Sequence, residues 1–578
     1  MSRWQLLLPV VVLVACGSAG RGAVAQAVAP GSEQLTPREN VPALPAPEFL
    51  PQQRPGFALP PPPAPRQPGL ASGPSILVKD IVLDGNTVLP AADLDALVEP
   101  YQGREVTLEE LFRLKDEITL AYVNAGYVNS GATLPDQDVT EGTVRFQIVE
   151  GGLEAVEITG TEQLSAPFLE ERIRLGAGPP LNVNALQDRL QLLLQDPAIR
   201  KLDARLLPGS QPGQARLAVA VEEEPKRFSV VARAANDQSP SIGANDAGLT
   251  FTWFNLFGRN DPLVLTGDVT EGLQEASFYY SVPLTARDLR FHIGGQISNA
   301  DVVNDDVEDL NIESSAKQIT VGFGMPVIDT TANRVGLDLS FNRERNRTYL
   351  LNEPFSFSPG TDDGKSDVSV LQFTQDWQNR GRSRALSVAS TFNFGLPILG
   401  ATDNGCCEQP SGDFFYWFGQ GQLAHRLFSD RDQVVLRGQA QLATDALLAS
   451  QQYSLGGIDT VRGYFVNEVV RDSGFAVGLE YRYPILDLWD RERIRGPDDM
   501  SLELVPFLDY GYAVNHHGNP EDVDSDTLAS AGLGLRWIWP PRVLAEVYWG
   551  NRFSNRDGDP DDFLLDNGIN FRVSVQLY

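Results

Sequence analysis

Beyond its first fifteen residues this chain has no apolar run approaching the ~18–20 residues that a membrane-crossing helix needs. That excludes a helical membrane protein. It does not exclude a barrel, whose strands alternate lipid-facing with lumen-facing residues and so look only half hydrophobic. Cysteine is sparse, three in 578 residues, which excludes a disulfide framework as the source of stability. Histidine is equally scarce at four, and no serine, aspartate or histidine stands in a recognisable nucleophile context, so an enzyme is not expected. Basic residues are outnumbered, 46 Lys and Arg against 76 Asp and Glu, and the net charge of −30 excludes nucleic acid as a partner.

The N-terminus has the form of an export signal over residues 1–25. Arg3 supplies a basic start, Leu6 to Ala15 a short apolar core, and Ala23-Val24-Ala25 a small-residue cleavage site before Gln26. Leu13-Val14-Ala15-Cys16 also has the form of a lipoprotein box, which would leave Cys16 acylated. Either route takes the protein out of the cytoplasm.

Residues 26–74 are rich in proline, ending in Leu59-Pro60-Pro61-Pro62-Pro63-Ala64-Pro65, and read as an extended, semi-rigid linker. Two α/β units follow. In 75–151, Ile76 to Leu83 reads as one strand, Ala91 to Glu99 and Thr107 to Ala125 have helical spacing, and Thr143 to Glu150 is a closing strand. Thr107 and Glu110 are spaced as a capping box. Residues 152–226 repeat the order, with a strand at Leu153 to Thr159, helices at Ala166 to Leu175 and Asn184 to Leu194, and strands at Leu202 to Leu207 and Ala215 to Val221. A tandem β-α-α-β-β repeat is the expectation.

From residue 227 to 578 the texture changes to about sixteen strands of ~9–15 residues. Their connections alternate. Short ones include 259–262, 286–288, 330–333, 430–432 and 540–541, and long ones 301–313, 352–366, 398–413, 446–474, 515–527 and 554–568, while 487–500 is a longer turn than the pattern predicts. Short turns on one side and long loops on the other describe an outer-membrane barrel with its turns in the periplasm. Alternation supports this: Leu504, Leu508, Tyr510 and Tyr512 oppose Glu503, Asp509 and Gly511, and Ala531, Leu533, Leu535 and Trp537 oppose Ser530, Gly532, Gly534 and Arg536. The last strand carries Ile569, Phe571, Val573, Val575 and Leu577 on one face, with Tyr578 out of phase.

The longest loop, 446–474, falls between the eleventh and twelfth predicted strands and contains Gly456-Gly457-Ile458-Asp459-Thr460-Val461-Arg462-Gly463-Tyr464. In an arbitrary loop Arg462 would be a solvated side chain. In a polar lumen its forked guanidinium would seek a carboxylate, and Asp509, Glu480 and Glu503 are candidates.

Val461-Arg462-Gly463-Tyr464 resembles the VRGY signature of the BamA-like POTRA-barrel superfamily. Phe507-Leu508-Asp509-Tyr510-Gly511 resembles its FxDxG strand, and Gly532-Leu533-Gly534-Leu535-Arg536 its GxGLR strand. The tandem units resemble POTRA domains, including Ala125-Gly126-Tyr127 and Val144 to Gly151. Two such units before a sixteen-strand barrel resemble the TpsB transporters of two-partner secretion, the FhaC/ShlB family. The resemblance implies that the loop folds back into the pore and that Arg462 pairs with Asp509. It also implies that the POTRA units take an unfolded TpsA-like exoprotein in the periplasm, by adding an extended segment to a sheet edge, and that the barrel secretes it. Outer-membrane lipid or lipopolysaccharide and periplasmic chaperones are further partners to expect, and no cofactor is. An assembly factor inserting other barrels is the alternative, although such proteins usually carry more POTRA units. Many TpsB proteins have a helix plugging the pore, but the prolines of 26–74 disfavour a long one here.

Three loop features carry less. Cys406-Cys407 could form a vicinal disulfide, though an ordinary pair is the simpler reading. The acidic run Asp557 to Asp562 could attract calcium, but reads more simply as a solvated loop. His516-His517 make a weak metal site without further ligands. No metal is expected.

Overall fold

The structure, a computed structural model, describes residues 44, 46–50, 57–58, 75–304, 307–404, 409–429, 432–487, 500–516, 525–554 and 563–578. The export signal, Cys406-Cys407, the acidic run 557–562, His517 and nearly all of the long turn 487–500 lie outside them.

The first α/β unit is built around two helices, α1 (Ala91–Val98) and α2 (Leu108–Asn124). Thr107 caps α2 as its spacing predicts: its hydroxyl accepts from the Glu110 amide at 3.2 Å, and Glu110 accepts from the Thr107 amide at 2.7 Å. Leu111, Leu114, Ile118 and Tyr122, spaced three and four apart, form the buried stripe of that helix. They pack on a sheet in which Asp80–Asp84 runs parallel to Thr143–Val149, which in turn pairs antiparallel with Gly131–Thr133.

The single strand expected over 76–83 is in fact two. The amides of Lys79 and Asp80 both reach the Gly142 carbonyl, at 2.7 and 3.3 Å, and the chain breaks there. Ser75–Val78 then pairs with Arg104–Thr107 in a separate ribbon. That partner strand is short and charged, and its pattern does not announce it.

The second unit repeats the topology with α3 (Ala166–Arg174) and α4 (Val183–Leu193). Gly152–Thr159 runs parallel to Gln214–Glu223, which pairs antiparallel with Ile199–Pro208. Glu223 gathers the amides of Glu162, Gln163 and Leu164 at 2.8–2.9 Å and so pins the entry to α3. The proline-rich linker is not wholly a spacer: Phe57–Ala58 pairs in parallel with Ala204 and Arg205 on the outer edge of this sheet.

Sixteen strands then close a barrel. In chain order they are β1 (Phe228–Ala235), β2 (Asp246–Trp253), β3 (Leu263–Val269), β4 (Leu273–Pro283), β5 (Arg290–Asp301), β6 (Ile312–Asp329), β7 (Asn333–Leu350) and β8 (Lys365–Arg380). The second half comprises β9 (Arg384–Gly395), β10 (Phe415–Arg426), β11 (Gln433–Ala443), β12 (Ser473–Asp487), β13 (Ser501–Val514), β14 (Ser525–Trp539), β15 (Val543–Arg552) and β16 (Ile569–Gln576). All neighbours are antiparallel, and β1 closes on β16 from Val231↔Gln576 to Ala235↔Arg572. Tyr578, out of phase with the apolar face of β16, stacks on Phe228 at 4.5 Å. It thus closes the periplasmic rim beside the seam.

Period-two alternation sorts the wall as the sequence predicts. Leu508, Tyr510, Leu533, Leu535 and Trp537 are exposed on the outside, whereas Glu503, Asp509 and Ser530 are buried within. The α/β units sit on the short-turn side. The Ser165 amide donates to the Gly258 carbonyl, Arg172 pairs with Asp288 at 2.6 Å, and Arg189 lies 3.5 Å from Asp329. The Arg172–Asp288 pair is nearly dry, with side chains 10% and 12% exposed. Arg172→Ala is therefore expected to loosen the second unit from the barrel, because it leaves Asp288 with only Arg290 at 3.1 Å and Arg334 at 3.9 Å, both on the barrel side. A loss of ~3 kcal/mol corresponds to roughly hundredfold faster hydrogen exchange in α3 and the turn 284–289. Unchanged exchange in that variant would show that the pair does not hold the junction.

Candidate functional site: a loop anchored in the lumen

The sixth connection on the long-loop side, between β11 and β12, spans 444–472 and does not lie outside the barrel. It carries a short hairpin, Tyr453–Leu455 with Val469–Arg471. Its apolar side chains, among them Leu447, Leu448, Tyr453, Leu455, Val461 and Tyr464, pack on inward-facing Val370, Tyr416, Phe418, Ala513 and Leu528. An apolar lumen wall would otherwise face water, and at ~25 cal/mol per Å² its burial is the main force seating the loop.

Arg462 lies at the inner end of this wedge and is 1% exposed. Its Nε and Nη2 donate to the two carboxylate oxygens of Asp509 at 2.7 and 2.8 Å, and its backbone amide adds a third bond at 3.1 Å. Nη1 donates to Glu480 at 2.8 Å. Of the three candidate carboxylates, Asp509 on β13 and Glu480 on β12 are used. Glu503 is not: it accepts from Arg536 at 2.8 Å, and Arg536 also reaches Glu546 at 2.7 Å.

Two residues not foreseen complete the charge set. Arg437 on β11 reaches Asp509 at 3.3 Å and the Ile458 carbonyl at 2.9 Å, and Arg482 on β12 donates to Glu480 at 2.6 Å through its Nε. Four guanidiniums therefore meet four carboxylates along one strip of wall. Such balance is what burial of a guanidinium requires, since an unpaired one would cost several kcal/mol.

The strand motifs around this pair have steric roles. The guanidinium carbon of Arg462 stands 3.8 Å from the Phe507 ring centroid and 4.9 Å from that of Tyr548, so two aromatic faces cover it. Those rings lie across two glycines of β14. A Cβ on Gly532 would stand 2.7 Å from the Phe507 ring, and one on Gly534 2.3 Å from the Tyr548 ring. Gly511 lies against Leu455 and Val461, 2.9 and 3.0 Å from an added Cβ. Gly463 has φ +92°, and its Cβ would stand 2.6 Å from the Gly550 carbonyl oxygen. Its amide donates to Asn570 on β16 at 2.9 Å. Tyr464 donates to the Ala529 carbonyl at 3.1 Å, and Asp459 pairs with Arg572 at 2.9 Å. The loop is thus tied to β11, β12, β13, β14 and β16.

This set can fix a loop across a pore. It contains no group of three or more His, Cys, Asp or Glu arranged to hold a metal among the described residues.

Residues 213–537, more than half of the chain, match the model of the haemolysin secretion/activation protein family ShlB/FhaC/HecB. The chain belongs to that family. Residues 76–151 match the ShlB-type POTRA domain. The ShlB/FhaC/HecB barrel is an outer-membrane transporter, and its POTRA domain lies in the periplasm. Among curated relatives, the outer membrane transporter CdiB of Escherichia coli is 23% identical over 505 residues, 82% of this chain and 78% of its own. The heme/hemopexin transporter protein HuxB of Haemophilus influenzae is 24% identical over 488 residues, 78% of this chain and 79% of its own. The solved structure of CdiB from Escherichia coli shares the fold with a TM-score of 0.67 at 20% identity, over 89% of this chain and 93% of that one.

Proposed function

We propose that this member of the family secretes one partner exoprotein, taking it unfolded from the periplasm and passing it through the barrel. The family match over 213–537 carries the reading, since it covers β1 to β13, most of β14 and the loop the barrel encloses. The second α/β unit, with the strand pairing of the first, acts as a second POTRA domain in this scheme. Capture by strand addition is supported at one edge: Ile199–Pro208 already takes Phe57–Ala58 as an added parallel strand. Arg462, Asp509 and Glu480 hold the loop in the lumen while no substrate is passing. The exoprotein's folding outside supplies direction, since nothing in the chain binds a nucleotide by any recognisable motif.

Co-expression with the product of a neighbouring gene for a large exported protein tests this. The exoprotein is expected in the medium with the intact chain and in the periplasm when residues 75–151 are deleted. Export without the chain would overturn the proposal. Loss of other outer-membrane barrels on depleting the chain would instead point to an assembly factor.

A further inference from the structure

The lipid-facing wall of the barrel is mostly apolar, and its cations at the long-loop end gather in one patch. On β7 the outward residues run Val335, Leu337, Leu339 and Phe341, and then change abruptly to Arg343, Arg345 and Arg347. On the adjoining β6 they run Val327, Met325, Phe323, Val321 and Ile319, and then change to Lys317, which is paired in register with Arg345. On β6 the change comes one outward position later, since Ile319 is paired with Arg343, and both changes fall at the end of the apolar band that faces the long loops. That is the outer-leaflet headgroup level of an outer-membrane barrel. No other barrel strand places Lys or Arg on its outer face at this end among the described residues, except Lys365 on the next strand, β8.

The patch is built on fixed groups. Asp367 on β8 binds Arg343 at 2.9 Å and also Arg347, and Arg343 is further held by the carbonyls of Val368 and Leu399 at 3.0 and 2.9 Å. One carboxylate thus serves two buried or half-buried guanidiniums. Arg345 stands 3.9 Å from it with its side chain 61% exposed, and exposed Lys317 pairs with no described carboxylate. Beside these two cations the wall is hollowed into a groove of about 590 Å³, lined by Phe278, Gly295, Ile297 and Ile319. Gly295 makes room for it, since the Phe278 ring lies 2.6 Å from where its Cβ would be. Beyond Lys317 on β6, Asp301 and Glu313 face each other and bound the positive zone on that side.

We propose that this groove binds the phosphorylated, multiply acylated glycolipid of the outer leaflet, with Lys317 and Arg345 on a phosphate and an acyl chain along Phe278, Ile297 and Ile319. In a chain of net charge −30, cations confined to this level of the wall complement an anionic headgroup. Their position directly above an apolar groove distinguishes a lipid from a soluble phosphate. A lipid seated there would hold β5 to β8 at a defined depth in the leaflet.

Native mass spectrometry of the full chain, purified in detergent, tests the proposal with four added probes: lipid A bisphosphate, dephosphorylated lipid A, phosphatidylglycerol and inorganic phosphate. Lipid A bisphosphate is expected to bind one per chain, more tightly than the other two lipids, and millimolar inorganic phosphate is expected to leave it bound. Lys317→Gln with Arg345→Gln should weaken binding about 30-fold, the loss of two cation–phosphate contacts. Arg200→Gln with Lys201→Gln, on the exposed surface of the second α/β unit, should leave it unchanged. Equal binding of the dephosphorylated lipid or phosphatidylglycerol, displacement by inorganic phosphate, or full binding by the Lys317/Arg345 variant would each overturn the assignment. The probe comparison uses the unaltered protein and decides the matter even where a variant does not assemble.

Discussion

Arg462→Ala is expected to leave the barrel inserted and to cut export of the partner exoprotein at least about tenfold. The substitution removes three hydrogen bonds to Asp509 and Glu480 made by a side chain 1% exposed, while its backbone amide still reaches Asp509. The carboxylates keep only Arg437 and Arg482, so two buried negative charges lose their best partner. Breaking one side of such a pair costs ~3–5 kcal/mol, enough to unseat a loop but small beside the ladder bonds of sixteen strands. Arg462→Lys separates charge from geometry, because an ammonium cannot hold both oxygens of Asp509 and Glu480 as a planar fork does. It should fall between the alanine variant and the unaltered chain. Exoprotein in the medium measures export, and heat-modifiable migration measures barrel assembly. Full export by Arg462→Ala would mean that the anchor has no part in secretion.

Gly463→Val is expected to have an effect of similar size although it changes no charge. A side chain at φ +92° is strained, and its Cβ would meet the Gly550 carbonyl oxygen at 2.6 Å. Both strained partners are backbone, so nothing flexible can yield. The residue next to Arg462 would be pushed off the wall, taking the guanidinium out of register with Asp509. Gly438→Ala on β11 provides the comparison, since its Cβ would meet nothing closer than 3.6 Å. Export should fall about tenfold or more in Gly463→Val and stay unchanged in Gly438→Ala, with both barrels assembled. A fully active Gly463→Val would show that the close approach of loop and wall is dispensable.

The barrel was legible in the sequence because a period of two runs through most strands, interrupted by bulges in β6 and β12 and by the polar end of β7, and because the connections alternate in length. The anchor was legible in part. Arg462 stands out by its motif and Asp509 by its inward phase, but Glu480 and Glu503 could not be separated, because which carboxylate an arginine reaches depends on the depth to which the loop descends. Arg437, Arg482 and Asn570 come from strands distant in sequence that meet only when the sheet closes. A further signal lies in the loop's composition: a solvated loop would not carry Leu447, Leu448, Tyr453, Leu455 and Val461, and their apolarity marks a segment that packs. The pairing of Phe57–Ala58 was hidden by its proline-rich surroundings, and the break at Lys79 by an unbroken apolar pattern on either side.

Site-specific crosslinking of a stalled exoprotein tests the central claim, that substrate passes through this barrel, most directly. A photoreactive residue at Gln372, on the lumen face of β8, should yield an adduct with an exoprotein arrested by a tightly folded tag. The same residue at Leu508, 51% exposed on the outer wall, should yield none. Adducts at both positions in equal yield, or at neither while export continues in the untagged control, would contradict passage through the lumen.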